Sequence, residues 1–241
     1  GLALLKINVP IDYENPDIIF YFDDDGDRIA VGEPNRGKIR GDLLLGLLAS
    51  YYFAGKKVVY DVKVAQSIVD YLSNEKKCEM IRSKTGHGFI KPAMIKNDAP
   101  FGGEYSGHIM YKSMGFVESP GLTMISILYL IGQLGKSISE LVLPMQGWEH
   151  SGEFEFDLTM LADPKELILD KLKNKYSESD INTLDGVDIH NKDWRMLVRP
   201  SGTHHALICI VEGSTTEIMQ ARKQELLELL GATEDMMTKW G

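Results

Sequence analysis

The chain has 241 residues, 44% of them hydrophobic, and a formal net charge of -9 at pH 7. Such a chain can bury a core as one large or two smaller domains, while its acidity and the lack of a long Lys/Arg run exclude a general nucleic-acid-binding surface. The longest apolar stretch, Leu122 to Ile131, has half the length that a membrane span needs, so we expect a soluble protein that binds no membrane.

The first part of the chain alternates strand-like and helix-like segments. The runs IIFYF (18–22) and KVVYDV (57–62) are rich in β-branched and aromatic residues and predict strands. Between them, GDLLLGLLASYYFAG predicts a helix capped by Asp42 and ended at Gly55, which completes a predicted β-α-β unit. Further helices are predicted at 65–73, 90–96 and 122–134, and further strands at 78–81 and 108–112. This alternation predicts an α/β domain.

After the run LPMQGWEHSGE the pattern changes. Strands are predicted at 154–158, 194–198 and 206–213, and helices at 164–176 and 216–230. Paired strands followed by a charged helix are typical of an α+β domain. The sequence therefore predicts an α/β domain followed by a smaller α+β domain.

Cysteine usage and the N-terminal run bear on the compartment. Cys78 and Cys209 lie far apart in the sequence, so we expect reduced thiols and no disulfide. The N-terminal GLALLKINVP has no signal-peptide cleavage pattern. Both features favour a cytoplasmic protein.

An acidic cluster, FDDDGDR at 22–28, follows the first predicted strand. Like charges so close together are stable only where a cation is bound or the carboxylates spread into water. On an extended or looped backbone, Asp23, Asp25 and Asp27 share one side while Asp24 points away. Three oxygen donors suit a hard cation, with magnesium favoured and calcium possible. A solvated acidic turn is the alternative.

Two further runs combine glycines with polar side chains. In GGEYSGH, the carboxylate of Glu104, the hydroxyl of Ser106 and the imidazole of His108 alternate, so an extended chain points all three the same way. Such a set suits the hydroxyl groups of a polyol. The earlier run SKTGHGFIK places His87 between two glycines, where the backbone can turn and polar donors can converge.

The run RPSGTHH lies between the two strands predicted at 194–198 and 206–213. The guanidinium of Arg199 offers a planar fork to phosphate oxygens. Ser201, Thr203 and the amides around Gly202 can complete an anion site. A plain hairpin turn is the alternative.

In chain order, FDDDGDR, YDVK, KTGHGFIK, GGEYSGH and VRPSGT resemble the successive loops of the α-D-phosphohexomutases, the phosphomannomutase/phosphoglucomutase superfamily. The resemblance covers nearly the whole chain. It implies the end of the second mutase domain over 1–37, a mixed-sheet α/β third domain over 38–148 and an α+β fourth domain over 149–241. It also implies an isomerase, an intramolecular phosphotransferase that interconverts hexose 1-phosphates and 6-phosphates through a bisphosphate intermediate and a phosphoserine, with Mg²⁺ bound.

The resemblance also implies site residues by position. The implied metal ligands are Asp23, Asp25 and Asp27. The implied catalytic groups, which face the substrate, transfer protons or orient phosphate, are Arg28, Lys63 and His87. The implied sugar-binding residues are Glu104, Ser106 and His108. The implied phosphate-binding residues are Arg199, Ser201, Gly202 and Thr203.

The chain departs from the family pattern in several places. Asp24 replaces a glycine beside the metal, Pro120 replaces an aspartate after the sugar loop, and His204 and His205 replace a Glu-Pro pair. These departures indicate a divergent member.

The family nucleophile is absent from these 241 residues, since it lies in a Ser-His-Asn-Pro loop and no Ser-His dipeptide occurs here. We therefore expect the chain to be inactive alone and to need a serine-bearing N-terminal domain in cis or in trans. Two alternatives stay open. One is a non-catalytic module that binds sugar phosphates, and the other is a metal-dependent phosphatase with Asp23 as nucleophile.

Overall fold

The structure is a computed structural model that describes residues 16–34 and 36–240. The chain divides into two units, Gly1–Gln146 and Gly147–Gly241, and each has its own buried apolar core. The run GLALLKINVP and the start of the predicted segment 1–37 lie outside the described residues.

The first unit begins with a three-stranded antiparallel sheet. Its strands are β1 (Ile19–Phe22), β2 (Ile29–Glu33) and β3 (Gly37–Ile39). Phe22 pairs with Ile29, so residues 23–28 form the turn of a hairpin. The strand predicted at 18–22 is confirmed, whereas the sequence pattern does not reveal β2 and β3, because glycines and charged residues interrupt their apolar runs.

A larger mixed sheet follows in the first unit. Its strands are β4 (Lys57–Asp61), β5 (Glu79–Ser83), β6 (Phe101–Gly103), β7 (Ile109–Tyr111) and β8 (Val117–Glu118). They lie in the order β5-β4-β6-β7-β8. β4 is parallel to β5 and β6, and the other pairs are antiparallel. The mixed sheet confirms the predicted α/β class.

The helices of the first unit pack against its sheets and against one another. They are α1 (Gly41–Tyr52), α2 (Gln66–Asn74), α3 (His87–Asn97), α4 (Pro120–Leu134) and α5 (Ile138–Val142). The β-α-β unit predicted around α1 is wrong, because β1 and β4 lie in different sheets. β1 instead pairs with β2 through a short hairpin, which closes a smaller loop than a crossover does.

The predicted cap of α1 is also wrong. Arg40 is the N-cap, and Asp42 lies inside the first turn with its side chain fully buried. The Asp42 carboxylate accepts hydrogen bonds from Arg40 Nε at 3.0 Å and from the Ala65 amide at 3.1 Å. A buried carboxylate needs such partners, so Asp42 joins α1 to the start of α2 instead of capping a helix. The helix ends at Tyr52, before Gly55.

The second unit is an antiparallel sheet with two helices. Its strands are β9 (Glu149–His150), β10 (Glu153–Asp157), β11 (Asp180–Asn182), β12 (Val187–His190), β13 (Trp194–Pro200), β14 (Ala206–Gly213) and β15 (Thr238–Trp240). They lie in the order β11-β12-β13-β14-β10-β15, with β9 beside β14. The helices are α6 (Lys165–Lys175) and α7 (Thr216–Leu230). This arrangement confirms the predicted α+β domain.

The two cysteines lie in different units. Cys78 and Cys209 are buried free thiols, one in each unit, and burial raises the pKa of both. Within the described ranges, no single helix is long and apolar enough to cross a membrane. The pair Pro120–Leu134 and Ile138–Met145 reaches that length and composition only together, with a bend of 93° between its helices.

Candidate active site

The acidic cluster forms the turn between β1 and β2. Gly26 has a φ of +72° and donates its amide to the Asp23 carbonyl, which closes the turn. Asp23, Asp25 and Asp27 each place a carboxylate oxygen within 4.8 Å of the other two. The side chains at alternate positions therefore converge as the sequence predicts, and that spacing suits one hard cation.

The carboxylates of this turn differ in their environment. Burial raises the pKa of Asp23, but the amide of Arg28 at 3.1 Å and the Arg28 guanidinium at 3.3 Å outweigh it and lower the pKa. The pKa of Asp27 is raised by burial and by the charges of Asp23 and Asp25. In the described part of the chain, Asp27 Oδ1 is buried and accepts no hydrogen bond. A cation at this turn would satisfy that oxygen, so the residues present fit a metal ion.

The acidic turn is joined directly to the run GGEYSGH. Arg28 and His108 form an antiparallel bridge, and the Ile29 amide donates to the Gly107 carbonyl at 3.2 Å. Arg28 Nε lies 3.2 Å from His108 Nε2, which in turn lies 3.3 Å from Asp27 Oδ2. Backbone and side-chain contacts therefore bring the predicted metal residues and the predicted sugar residues into one cluster.

Two glycines permit this close approach. A Cβ at Gly107, whose φ is +95°, would lie 2.6 Å from the Ile29 carbonyl oxygen. A Cβ at Gly41, the first residue of α1, would lie 2.4 Å from the Tyr105 carbonyl oxygen. Real Cβ atoms do not approach backbone oxygens this closely, so a side chain at either position would push the loops apart.

Glu104, Ser106 and His108 meet through a turn, not along the extended chain that the sequence analysis assumes. The Gly107 amide donates to the Glu104 carbonyl and the Glu104 amide to the His108 carbonyl, which closes a tight turn between β6 and β7. Ser106 Oγ lies 3.1 Å from both Glu104 Oε2 and His108 Nδ1. The three side chains converge because Gly107 turns the backbone.

Glu104 and His108 lie in direct contact, with Glu104 Oε2 3.3 Å from His108 Nδ1. Burial opposes protonation of His108, but the hydrogen bond and charge of Glu104, together with the charge of Asp27, raise its pKa. Burial likewise opposes ionisation of Glu104, but the hydrogen bonds with His108 and Ser106 outweigh it and lower the pKa of Glu104. Glu104 Oε1 is buried and, among the described residues, accepts no hydrogen bond. That oxygen is an acceptor suited to a ligand hydroxyl.

His87 and Lys63 border this cluster. His87 is the first residue of α3, and its exposed ring lies edge-on to the His108 ring, with centroids 5.7 Å apart. Lys63 is buried, and its ammonium lies 5.2 Å from the centre of the Tyr105 ring. The structure thus brings every site residue predicted in the first unit to one region.

Asp61 is a site residue that the sequence analysis missed. It ends β4 and is fully buried, and it accepts hydrogen bonds from the Tyr105 amide at 3.0 Å and Thr85 Oγ1 at 3.1 Å. It therefore positions the run GGEYSGH and the loop that precedes His87. The available signal was a carboxylate at the carboxyl end of a central parallel strand, where ligand sites of α/β sheets form.

The stability of the first unit is expected to depend on Asp61. Burial raises the pKa of Asp61 from 3.8 to about 6, although Lys63 opposes the shift. The folded state then binds a proton that the unfolded chain releases. Stability is therefore fully present below pH 3.8 and falls as the pH rises through about 6, by roughly 2–3 kcal/mol.

Replacing Asp61 with Asn keeps an acceptor but removes this titration. We expect the unfolding free energy of Asp61→Asn, relative to the wild type, to rise by that amount between pH 4 and pH 7 in urea unfolding followed by circular dichroism. Asp70→Asn, at an exposed carboxylate, is the control. An equal pH dependence for wild type and Asp61→Asn would contradict the prediction.

In the second unit, Arg199 and Pro200 still belong to β13, two residues beyond the predicted end of that strand, and residues 201–205 connect β13 to β14. Arg199 is buried and does not present a free fork, because its Nε and Nη2 lie 3.0 and 3.5 Å from the Asp185 carboxylate. The following Gly186 packs against Arg199, and a Cβ there would lie 2.4 Å from the Val198 carbonyl oxygen. Asp185, also missed by the sequence analysis, thus fixes the orientation of the guanidinium.

The rest of this loop is organised by His204. His204 Nε2 lies 2.8 Å from Glu155 Oε2, and His204 Nδ1 lies 3.1 Å from Ser201 Oγ and 3.0 Å from Thr203 Oγ1. The amides of Thr203 and His204 also face Ser201 Oγ. One of the two departures in this loop therefore links both predicted hydroxyls to a carboxylate of β10.

The two units match known domains. Residues 40–146 match the family described as phosphoglucomutase/phosphomannomutase, alpha/beta/alpha domain III, and residues 160–229 match the C-terminal domain of the same family. A mixed-sheet α/β unit followed by an antiparallel α+β unit is the arrangement of the third and fourth domains of the phosphohexomutase fold. The chain belongs to the phosphoglucomutase/phosphomannomutase family.

Individual relatives agree with this assignment. A phosphomannomutase of Methanocaldococcus jannaschii is 33% identical over 219 residues, covering 90% of this chain and 48% of the relative. A probable phosphoglucosamine mutase of Pyrococcus horikoshii is 29% identical, covering 91% of this chain and 49% of the relative. A crystal structure of a family protein from Burkholderia thailandensis superposes with a TM-score of 0.74 at 25% identity, covering 90% of this chain and 48% of that one. The chain spans about half the length of these relatives.

Proposed function

We propose that the protein carries the metal, sugar and phosphate loops of a phosphohexomutase, which interconverts hexose 1-phosphates and 6-phosphates with magnesium and through a bisphosphate. Relatives named phosphomannomutase and probable phosphoglucosamine mutase support hexose or hexosamine phosphates as the substrate class. The observation that carries the proposal is the junction of the acidic turn with the sugar loop, through Asp27, Arg28 and His108.

The acidic turn would hold the metal ion through Asp23, Asp25 and Asp27. A magnesium ion there would stabilise negative charge on a phosphoryl group during transfer. Arg28 extends from this turn towards His108 and is placed to contact phosphoryl oxygens, because the planar fork of a guanidinium can donate to two such oxygens at once.

The sugar loop would select and orient hydroxyl groups. Glu104 Oε1 accepts no hydrogen bond from the residues that the structure describes, and Ser106 Oγ provides a hydroxyl beside this carboxylate. His87 and Lys63, at the border of the cluster, are the side chains placed to move protons or to contact phosphate. A sugar bound at this loop would lie close to the acidic turn, because the loop and the turn are in contact.

We propose that the nucleophilic serine comes from outside these 241 residues, in cis or in trans, since no Ser-His dipeptide occurs among them. The matched relatives, of which this chain covers about half, support that arrangement. The phosphatase alternative requires Asp23 in a doubly wound sheet, but Asp23 lies in an antiparallel hairpin. The architecture does not meet that requirement.

Magnesium binding tests the metal assignment. Replacing Asp25 with Asn removes one charge from the three carboxylates, and a unit charge about 4 Å from another contributes roughly 4 kcal/mol near a protein surface, more for a divalent ion. We expect the magnesium affinity of Asp25→Asn to fall at least about tenfold in calorimetry. Asp24→Asn, outside the converging trio, is the matched control and is expected to bind nearly as tightly. An unchanged magnesium affinity of Asp25→Asn would contradict the metal assignment.

Sugar-phosphate binding tests the loop of the second unit. Losing a charge-assisted hydrogen bond costs about 1.5–3 kcal/mol, so Arg199→Ala is expected to weaken binding of hexose 6-phosphate by roughly ten- to a hundredfold. Affinity for the unphosphorylated hexose should stay unchanged. Arg199→Lys keeps the charge but loses the two contacts with Asp185 that hold the side chain in place, so an intermediate loss is expected. Equal losses for both ligands would show that Arg199 supports the fold, not the phosphate.

A further inference from the structure

A second group of possible metal ligands lies beside the acidic turn. One carboxylate oxygen of Asp27 and one ring nitrogen each of His87 and His108 lie within 4.8 Å of one another. We propose that these three side chains form a binding site for a transition-metal ion such as Zn²⁺ or Co²⁺. This site is distinct from the all-carboxylate site and shares only Asp27 with it.

The ligand types separate the two sites. Two imidazoles and one carboxylate suit borderline cations such as Zn²⁺, Co²⁺ and Ni²⁺, whereas Mg²⁺ prefers oxygen ligands and retains water. Asp23 and Asp25 offer oxygen only. The same region therefore presents an oxygen set and a mixed nitrogen and oxygen set to different classes of cation.

The distances agree with one bound ion after a small movement. Ligand atoms about 2.1 Å from a tetrahedral zinc ion lie roughly 3.4 Å from each other. His108 Nε2 and Asp27 Oδ2 are already 3.3 Å apart. His87 is the ligand that has to move closer, and its side chain is 64% exposed and therefore has room to rotate.

Neighbouring groups orient His108 for this role. Its Nδ1 faces Glu104 Oε2 at 3.3 Å and Ser106 Oγ at 3.1 Å, which leaves Nε2 directed at Asp27. A carboxylate on the second ring nitrogen is the usual arrangement behind a metal-bound histidine, since it fixes the tautomer and increases ligand basicity. Asp27 Oδ1, buried without a partner in the described residues, adds a further acceptor at the same place.

The charged neighbours both favour and oppose a cation here. Glu118, 3.8 Å from His87 Nδ1, and Glu104 contribute negative charge. Arg28 opposes the site, because its Nε lies 3.2 Å from His108 Nε2. The Arg28 side chain is 38% exposed and also pairs with Asp23, so it can turn away from His108 without losing every partner.

The shared carboxylate of Asp27 couples the two sites. An ion held by His87 and His108 withdraws Asp27 from the acidic turn, so it is expected to lower the magnesium affinity. This inference needs no mutase activity, and binding alone tests it. The two buried cysteines do not compete as exposed thiols.

The test measures the binding of three cations, zinc, cobalt and magnesium, to the untagged 241-residue chain. Zinc affinity is measured by calorimetry, cobalt coordination by visible absorption, and magnesium affinity by calorimetry with and without zinc. Loss of a residue that only supports a metal ligand lowers metal affinity about ten- to a hundredfold. His87 is itself a proposed ligand, so His87→Gln is expected to lower the zinc affinity at least about a hundredfold. The same variant should leave the magnesium affinity unchanged. His205→Gln, an exposed histidine of the second unit, is the matched control.

Asp25→Asn provides the reverse comparison. Its magnesium affinity should fall, and its zinc affinity should stay nearly unchanged. The proposal is overturned if the wild type binds no zinc, if His87→Gln binds zinc as the wild type does, or if Asp25→Asn loses zinc as strongly as His87→Gln. The last result would place zinc in the all-carboxylate site. Loss of magnesium in Asp25→Asn together with unchanged zinc in His87→Gln would leave the proposed function standing while this inference fails.

Discussion

The 241-residue chain is expected to bind hexose phosphates without sustained interconversion of the 1-phosphate and the 6-phosphate. Moving a phosphoryl group between two oxygens of one sugar requires a group that holds it while the sugar reorients. The proposed part-site can bind the substrate and stabilise charge, but no residue in it matches the family serine. Turnover should appear when a serine-bearing N-terminal segment is supplied.

Two serines of this chain are the strongest candidates to replace the family serine as nucleophile. Although neither serine is followed by a histidine in the sequence, Ser106 Oγ lies 3.1 Å from His108 Nδ1 and Ser201 Oγ lies 3.1 Å from His204 Nδ1. In the first case Glu104 and Ser106 face the same nitrogen, so the imidazole cannot accept from the serine while donating to the acid. In the second case the two nitrogens face Ser201 and Glu155 separately. Ser201 is therefore the internal nucleophile to test.

The measurement is a coupled assay for 1-phosphate conversion, with a sugar bisphosphate as activator, run with and without the upstream segment. Ser106→Ala and Ser201→Ala are assayed beside the wild type. We expect no turnover above background from the isolated chain and no dependence on either serine. Sustained turnover that Ser201→Ala abolishes would show that the phosphoryl carrier lies inside these residues. Binding without turnover even with the segment restored would favour a non-catalytic module.

The sequence predicts elements whose apolar pattern is complete and misses those whose pattern depends on distant partners. β4 and β14 are predicted correctly because nearly every one of their residues is buried, so their sequences contain long apolar runs. β2 and β3 are stabilised by pairing within the hairpin and carry too few consecutive apolar residues to stand out. The interrupted pattern also explains the wrong β-α-β prediction, since an unrecognised β2 leaves β1 without its true neighbour.

For the candidate site, too, the sequence predicts some residues and misses others. Motifs place the residues of each loop, but the partners that orient them lie far away in the sequence and belong to no motif. Asp61 holds Tyr105, Asp185 holds Arg199 and Glu155 holds His204, each across at least fourteen residues. The turn geometry at Glu104 to His108 depends on the approach of Ile29 to Gly107, which no local pattern encodes.

Arg195 is expected to be among the most sensitive positions for the stability of the second unit. Its side chain is almost fully buried, with Nε and Nη2 at 2.8 and 3.0 Å from the Asp188 carboxylate and Nη1 at 2.7 Å from Glu212 Oε1. Burial opposes ionisation of Asp188, but the Arg195 charge outweighs it and holds the pKa of Asp188 well below its usual range. The three charged groups are therefore stable only together.

Removing the guanidinium leaves two carboxylates buried without their main counter-charge. We expect Arg195→Met to lower the unfolding free energy by about 3–5 kcal/mol, since breaking a buried ion pair costs that much. Arg222→Met is the matched control, because the Arg222–Glu225 pair is partly exposed and should cost at most about 1 kcal/mol. All three tryptophans, Trp148, Trp194 and Trp240, belong to the second unit, so tryptophan fluorescence during urea unfolding reports on that unit alone.

A third variant separates lost charge from lost packing. Replacing Arg195 with Met and both Asp188 and Glu212 with Leu exchanges the three buried charged groups for apolar side chains, which removes the uncompensated carboxylates and should restore most of the lost stability. His190 loses its contact with Asp188 at 3.1 Å but is partly exposed and can bind water. If Arg195→Met alone destabilises the unit no more than Arg222→Met does, the carboxylates are reached by water in solution. If the triple replacement is as unstable as Arg195→Met, the shape of the arginine matters more than its charge. The expected order is wild type, then triple replacement, then Arg195→Met.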